Sequence, residues 1–346
     1  MYILGIESSC DESAASILKA SGQKTEILSN IISSQIDIHA QYGGVIPEIA
    51  AREHVLNILP TIEEALRQAK ITNKDLKAIA VTQGPGLLSS LIAGVETAKS
   101  LSLAWDKPII PVHHIIGHIY ANFINTDKQP QFPLLALVVS GGHSNIIYMS
   151  DHYQFEIIGE TRDDAAGEAY DKAAKMMGLS YPGGPIIAKY AEEFRQSNKT
   201  STIKLPRPMI YSPDFNFSFS GLKTALLYQL QKDKNWKNRI PEYCFAFEQA
   251  VIDTLIHKTI KAAKQYPVEN VLLAGGVSAN KTLRLQLKTE ISKKLPNVKL
   301  FLPNLSYTTD NAAMIASAGY FNYYKHKNKA FVDLKEVNAS CNSKMQ

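Results

Sequence analysis

No stretch of this 346-residue chain approaches the roughly 20 consecutive apolar residues that a membrane-spanning helix needs. The opening MYILGIESSCDES has no basic segment ahead of an apolar one, so a signal peptide is not expected either. Cysteine is scarce: Cys10, Cys244 and Cys341 stand far apart with no Cys-x-x-Cys pair, which leaves reduced thiols and no disulfide framework. A cytoplasmic chain follows as the expectation, in which the Asn-x-Ser/Thr matches starting at Asn198, Asn216 and Asn338 carry no meaning. The His-Glu-x-x-His peptidase signature is missing as well. Ile115 follows His114, so no general base is positioned there and peptidase chemistry is set aside.

What is present is ordinary for a globular enzyme: 45% hydrophobic and 20% charged residues, enough length for two domains, and a formal charge of +5. The basic residues gather at 198–208, 232–239 and 323–329, which allows a polyanionic partner, although solvated loops produce such runs too. Strands and helices alternate from the start, which predicts a mixed α/β sheet. After the linker-like NTDKQPQFP (125–133) the opening pattern restarts as strand LLALVV, turn SGGH and strand NIIYM. The expectation is two related α/β lobes with a cleft between them, 1–132 and 133–309. A helix at 310–326 would complete the first lobe, and 330–346 would form a mobile tail.

His114 and His118 stand four residues apart at a helix start, a spacing that stacks two imidazoles on one face. A bare pair of this kind is more often satisfied by hydrogen bonds than by metal. Here the helix begins where a strand ends, and Asp310 in LSYTTDNAAMIA offers a carboxylate as third ligand. Gly-Gly pairs at 43–44, 141–142, 183–184 and 275–276 suit loops that let backbone N–H groups approach phosphate. In GGVSANKTLR (275–284) a strand enters, Ser278 is placed to cap the next helix and Asn280 to sit in its first turn. In RDDAAGEAYDKAAKMMG (162–178), Asp164, Glu168 and Asp171 fall near one helix face beside Lys172, just ahead of the tight turn at 182–185. Asp11 and Glu12, in the first hairpin turn, could face phosphate or its metal, though turns favour acidic residues anyway.

In series, ESSCDES (7–13), GGVIPEIAAREH (43–54), QGPGLLSSL (83–91), HHIIGH (113–118), VSGGH (139–143), DDAAGEAYDKAAKMMGLSYPGGP (163–185), FSFSGLKTA (217–225), GGVSAN (275–280) and TDNAAMIA (309–316) resemble one family over about residues 1–325. It is the tRNA N6-adenosine threonylcarbamoyltransferase family (TsaD, Gcp), bacterial branch. The resemblance implies a two-lobed actin/Hsp70/sugar-kinase fold with a duplicated mixed sheet. It implies transfer of threonylcarbamoyl from threonylcarbamoyl-AMP to N6 of the adenosine beside the anticodon (A37), forming t6A and releasing AMP.

By motif position the resemblance implies His114, His118 and Asp310 as ligands of one divalent metal, iron or else zinc. It implies Val138, Val139, Ser140, Gly141 and Gly142 on the adenylate phosphate and acyl group, Asp171 and Gly184 on ribose, and Asn280 toward the adenosine. Many relatives have Glu where this chain has Ile116, a departure that bears on the ligands' surroundings or a partner contact and not on the ligands. No residue stands out as general base; Asp11 is the candidate for orientation or proton transfer. A TsaB-like paralogous partner, met by apolar-faced helices of the first lobe, and a TsaE-like ATPase are implied too. The rival readings are a kinase or small-molecule carbamoyltransferase on the same fold, and a nucleotide-binding scaffold with no need for His114 and His118.

Overall fold

A computed structural model describes residues 1–126 and 128–342. Asp127 and residues 343–346, parts of the expected linker and tail, lie outside the described residues. The chain opens with β1 (Tyr2–Glu7), β2 (Glu12–Ser21), β3 (Lys24–Ser34), α1 (Ile36–Ala40), α2 (Pro47–Ala69), β4 (Leu76–Gly84), α3 (Leu88–Trp105), β5 (Ile109–His113) and α4 (His114–Tyr120). There follow β6 (Leu134–Val139), β7 (Ser144–Asp151), β8 (Gln154–Glu160), α5 (Ala166–Met176), α6 (Gly183–Gln196), α7 (Ser220–Lys232) and α8 (Ile240–Gln265). It closes with β9 (Asn270–Ala274), α9 (Lys281–Lys294), β10 (Lys299–Phe301) and α10 (Ala312–His326).

Two compact units result: unit 1 of residues 1–130, 151–154 and 303–346, and unit 2 of residues 131–150 and 155–302. Unit 1 carries a five-stranded sheet in the order β3-β2-β1-β4-β5, with β1 antiparallel to β2 and parallel to β4. Unit 2 carries the order β10-β9-β6-β7-β8, with β6 antiparallel to β7 and parallel to β9. The same strand order is built twice, each time around a central strand that the chain lays down first. Those central strands, YILGIE and LLALVV, are buried almost end to end, as continuous apolar runs covered on both faces must be.

Unit 1 depends on how closely α10 seats on its sheet. A Cβ on Gly5 of β1 would stand 2.3 Å from the Ala312 carbonyl oxygen, so only glycine admits the helix there. A Cβ on Gly117 of α4 would stand 2.7 Å from Ile315 Cδ1, so α4 too lies close against α10. The side chain of Asn311 caps α10 by accepting from Met314 N at 3.0 Å, which leaves Asp310 one residue ahead of the helix mouth.

The segment beyond Ala330, expected to be mobile, packs on unit 1 as far as it is described. Val337 is fully buried in the same core as Leu4 and Ile79, Val332 bridges to Ile109, and Ser340 N donates to the Gln83 carbonyl. The run is aperiodic because single apolar residues anchor it, so no helical or strand pattern announces it.

His152 is buried in unit 1, stacked 4.6 Å from Phe321 and 3.0 Å from the Tyr120 hydroxyl. Burial pulls its pKa down to about 4, against the opposing pull of Asp151, which itself pairs with Lys325. A histidine depressed below its unfolded value of about 6.5 binds its proton first in the unfolded chain. Its contribution is therefore full above about pH 6.5 and is lost as the pH falls toward 4, by about 3 kcal/mol at most. Melting curves of His152→Phe should show a flatter acid limb over that window than the wild type. Gly5→Ala should cost about 2–3 kcal/mol through overpacking. Gly184→Ala, whose new Cβ meets nothing within 4 Å, should leave the melting temperature nearly unchanged.

Candidate functional site

The strand-to-helix junction β5–α4 places His113, His114 and His118. His113 caps α4 by accepting from Ile115 N, and the helix then presents His114 and His118 on one face with ring centroids 4.7 Å apart. Asp310, ahead of α10, approaches both: its Oδ1 lies 3.5 Å from His114 Nε2 and 3.3 Å from His118 Nε2. A metal bonded at about 2.0–2.1 Å with tetrahedral angles would hold its donors ~3.3–3.4 Å apart, close to these separations. Ile116 lies about 200° round α4 from His114 and is buried at 2% exposure, away from the ligand face.

The donors' surroundings fit a metal. Both His118 ring nitrogens are wholly buried: Nδ1 has no hydrogen-bond partner, and Nε2 has only the 3.3 Å approach of Asp310 Oδ1. An imidazole in that state costs free energy unless something fills its valence. Burial holds the His118 pKa down, which keeps it in the neutral form that ligates.

His114 is oriented from behind: Glu7 Oε2 and Ser9 Oγ each lie 3.1 Å from its Nδ1, leaving Nε2 toward Asp310. A buried carboxylate on the far nitrogen of a ligating histidine fixes ring and tautomer. Burial opposes the charge on His114, but the Asp310 and Glu7 carboxylates outweigh it and bring the pKa to about 9. Burial alone would raise the Glu7 carboxyl, and contact with His114 holds it below its ordinary value.

The turn between β1 and β2 adds more negative charge. Asp11 and Glu12 are nearly buried, and the Glu12 carboxyl is pushed well up by burial and then by Asp310 and Asp11. The Cys10 thiol is pushed up for the same reasons, which makes it a poor nucleophile and a poor ligand. His54 of α2 pins this turn, with Nε2 3.0 Å from the Cys10 carbonyl and Nδ1 2.7 Å from Ser13 Oγ. Glu7 and His54 both lie within the family-like motifs of the sequence, but no spacing rule assigns either a role.

Unit 2 holds the remaining residues singled out in the sequence. Val138 and Val139 end β6, and the turn Ser140-Gly141-Gly142 follows, with open space where Gly141 and Gly142 would carry a Cβ. That turn is tied to α5 by the bonds Gly167 N to Ser140 O and Glu168 N to Gly141 O. Asp171 of α5 accepts from Gly183 N at 2.7 Å, so its carboxylate does face the glycine turn that opens α6. Asp164 and Glu168 are instead tied to Lys172.

The cap of α9 differs from expectation. Residues 276–279 form a separate 3-10 turn, so the capping side chain is Asn280, which accepts from Leu283 N at 2.8 Å, and not Ser278. The other end of the Asn280 amide donates to Glu248 of α8, a fully buried carboxylate that also holds Arg195 of α6. Glu248 and Arg195 are visible only once α6, α8 and α9 are packed.

Comparison with known proteins agrees with the motif series. A family profile described as TsaD, tRNA N6-adenosine threonylcarbamoyltransferase, matches residues 26–317. The chain belongs to the tRNA N6-adenosine threonylcarbamoyltransferase family. Enzymes of that name from Bacillus anthracis and Bacillus subtilis are each 52% identical over 327 residues, covering 94% of this chain and 92% and 91% of theirs. One from Geobacillus thermodenitrificans is 51% identical over 329 residues, covering 94% of this chain and 93% of its own. Among solved structures, HypF of T. kodakarensis superposes with a TM-score of 0.63 at 12% identity, over 95% of this chain. The chain spans only 48% of HypF, and the likeness concerns the fold alone, an actin/Hsp70/sugar-kinase type α/β architecture. The chain is thus a transferase acting on tRNA.

The geometry around His114 yields a direct test. Glu7→Gln should weaken divalent-metal affinity by about tenfold to a hundredfold while the protein stays folded, as titration calorimetry with Zn²⁺ would record. His118→Ala should lose stoichiometric metal altogether.

Proposed function

We propose that this enzyme transfers the threonylcarbamoyl group from threonylcarbamoyl-AMP to N6 of the adenosine adjacent to the anticodon (A37), forming t6A and releasing AMP. The observation that carries the proposal beyond the family name is the convergence of His114, His118 and Asp310, with a buried carboxylate orienting one imidazole. A scaffold that merely bound nucleotide would have no use for that arrangement.

The acceptor is the chemical difficulty. An exocyclic adenine amine is a poor nucleophile because its lone pair is delocalised into the ring, so the acyl carbonyl must be polarised and the adenylate held. His114, His118 and Asp310 would hold one divalent ion, iron or alternatively zinc, which supplies Lewis acidity there when bound. In unit 2, the backbone donors of Gly141, Gly142, Gly275 and Gly276 would take the phosphate charge, with Val138, Val139 and Ser140 beside them. Asp171 and Gly184 would receive the ribose, and Asn280, its amide held by Glu248, the adenosine. Asp11, buried at 7% exposure in the turn after β1, is assigned to orientation or proton transfer.

Two helper proteins complete the reading. Val55, Leu56 and Leu59 of α2 and Leu88 and Ile92 of α3 are exposed apolar residues on helices that pack against each other. This is the face we assign to a TsaB-like paralogous partner. A TsaE-like ATPase would act with that pair. Among the described residues no helix is long and apolar enough to cross a membrane, and a tRNA substrate suits the cytoplasm.

The test is mass spectrometry of nucleosides from unmodified tRNA incubated with this protein, its helpers, threonine, bicarbonate, ATP and a threonylcarbamoyl-AMP synthase. t6A should form with the wild type, and His114→Ala should lower turnover by at least about a hundredfold. Asp11→Ala should lower kcat by about 10²-fold or more; unchanged turnover would remove Asp11 from the mechanism. Absence of t6A with the wild type and all helpers would overturn the reading.

A further inference from the structure

Two of the basic runs, 198–208 and 232–239, are brought together in unit 2 by α8. The segment from Ser201 to Asp214 is strapped lengthwise along that helix. Glu242 accepts from Ser201 and Thr202, Asp253 pairs with Arg207, the His257 ring meets Tyr211, and Lys258 and Lys261 donate to carbonyls of residues 212–214. At about 1.5 Å per residue, α8 from Glu242 to Lys261 measures about 28 Å. The turn after α7 is fastened to the same end, where Arg239 reaches Asp233, Glu242 and the Thr202 hydroxyl.

These ties settle which charges remain outside. The carboxylates of Asp233, Glu242, Asp253 and Asp214 are engaged by Arg239, Arg207, Lys258 and neighbouring donors. Lys199, Lys204, Lys232, Lys234 and Lys237 are exposed, and among the described residues none of them forms an ion pair. Tyr211, 85% exposed, adds an open ring on the strap. The result is a predominantly basic patch in which the acids that hold the strap are already engaged, with the Tyr211 ring further along the same strap, features that suit a surface reading an RNA backbone.

We propose that this strap and the adjoining turn form the surface of unit 2 that takes the phosphodiester backbone of tRNA. It rests on the chain's being a tRNA-modifying enzyme and adds where the polyanion binds. The surface contributes charge and stacking and reads no base, so it serves different tRNAs alike.

The experiment is fluorescence anisotropy of a labelled, unmodified tRNA transcript against the full chain at several KCl concentrations. It compares the wild type, a variant with Lys199, Lys204, Lys232, Lys234 and Lys237 all changed to Ala, and a control with Lys327→Ala and Lys329→Ala in unit 1. The five-lysine variant should bind at least tenfold more weakly at low salt, with a salt slope smaller by about 2–4. In the t6A assay its KM for tRNA should rise with kcat unchanged, and its melting temperature and metal content should match the wild type. The control should keep the wild-type slope. A five-lysine variant that binds tRNA as the wild type does, or a control that takes the loss instead, overturns the assignment. A wild type that binds no tRNA overturns the tRNA reading itself.

Discussion

The centre of unit 1 is governed by an excess of buried negative charge. Glu7, Asp11, Glu12 and Asp310 crowd around two imidazoles, and every one of these carboxylates is at least largely withdrawn from water. Such a cluster is tolerable only if something positive sits in it. The structure answers in two ways that have the same cause: Glu12 is pushed toward its neutral form, and His114 is held protonated to about pH 9. The imidazolium occupies the electrostatic position that a divalent cation would take, and a metal arriving at Nε2 must displace that proton. Metal affinity at this centre would thus be coupled to pH.

That excess charge is assembled by backbone packing, which explains why the site uses so much of the chain. Glu7 ends β1, His114 and His118 lie on α4, and Asp310 precedes α10, so the candidate ligands and the carboxylate behind them come from three separate parts of the sequence. What brings them together is the contact of α10 with β1 and α4, set by the missing side chains of Gly5 and Gly117. The duplicated strand order supplies the frame: in each unit the strand laid down first becomes the central one, and its C-terminal end opens into a loop with functional side chains or glycines.

How legible this was depends on the range of each interaction. The i, i+4 spacing of His114 and His118 is local, and the helix delivers it. The strands of the two restarting patterns, LLALVV and NIIYM among them, were likewise readable, because buried apolar runs carry their own signal. β3 carries no such signal, since KTEILSNIISS is only partly buried and mixes both faces. Ser278 looked like the cap of α9 because a serine sits ahead of the helical pattern; a 3-10 turn consumes it, and Asn280 takes the role. Glu7 and Glu248 had no legible role, because a carboxylate that orients another side chain is defined by a partner far away in sequence, His114 in one case and Asn280 in the other. Val337, set between Glu336 and Asn338 in an aperiodic run, is illegible for the same reason.

The modest net charge of +5 conceals two strong, opposed electrostatic tasks. Unit 1 concentrates buried carboxylates, and unit 2 displays exposed lysines whose acidic neighbours are already engaged. Salt distinguishes these two kinds of charge. At 0.1 M ionic strength the screening length is about 10 Å, which attenuates attraction at an exposed lysine patch but acts much less on charges shielded from solvent. Rising salt should therefore strip polyanion binding long before it disturbs the centre of unit 1. A sequence reading that sums charges sees only their near-cancellation. The proposed function depends instead on one sign being buried and the other exposed, a distinction that exists only in the folded chain.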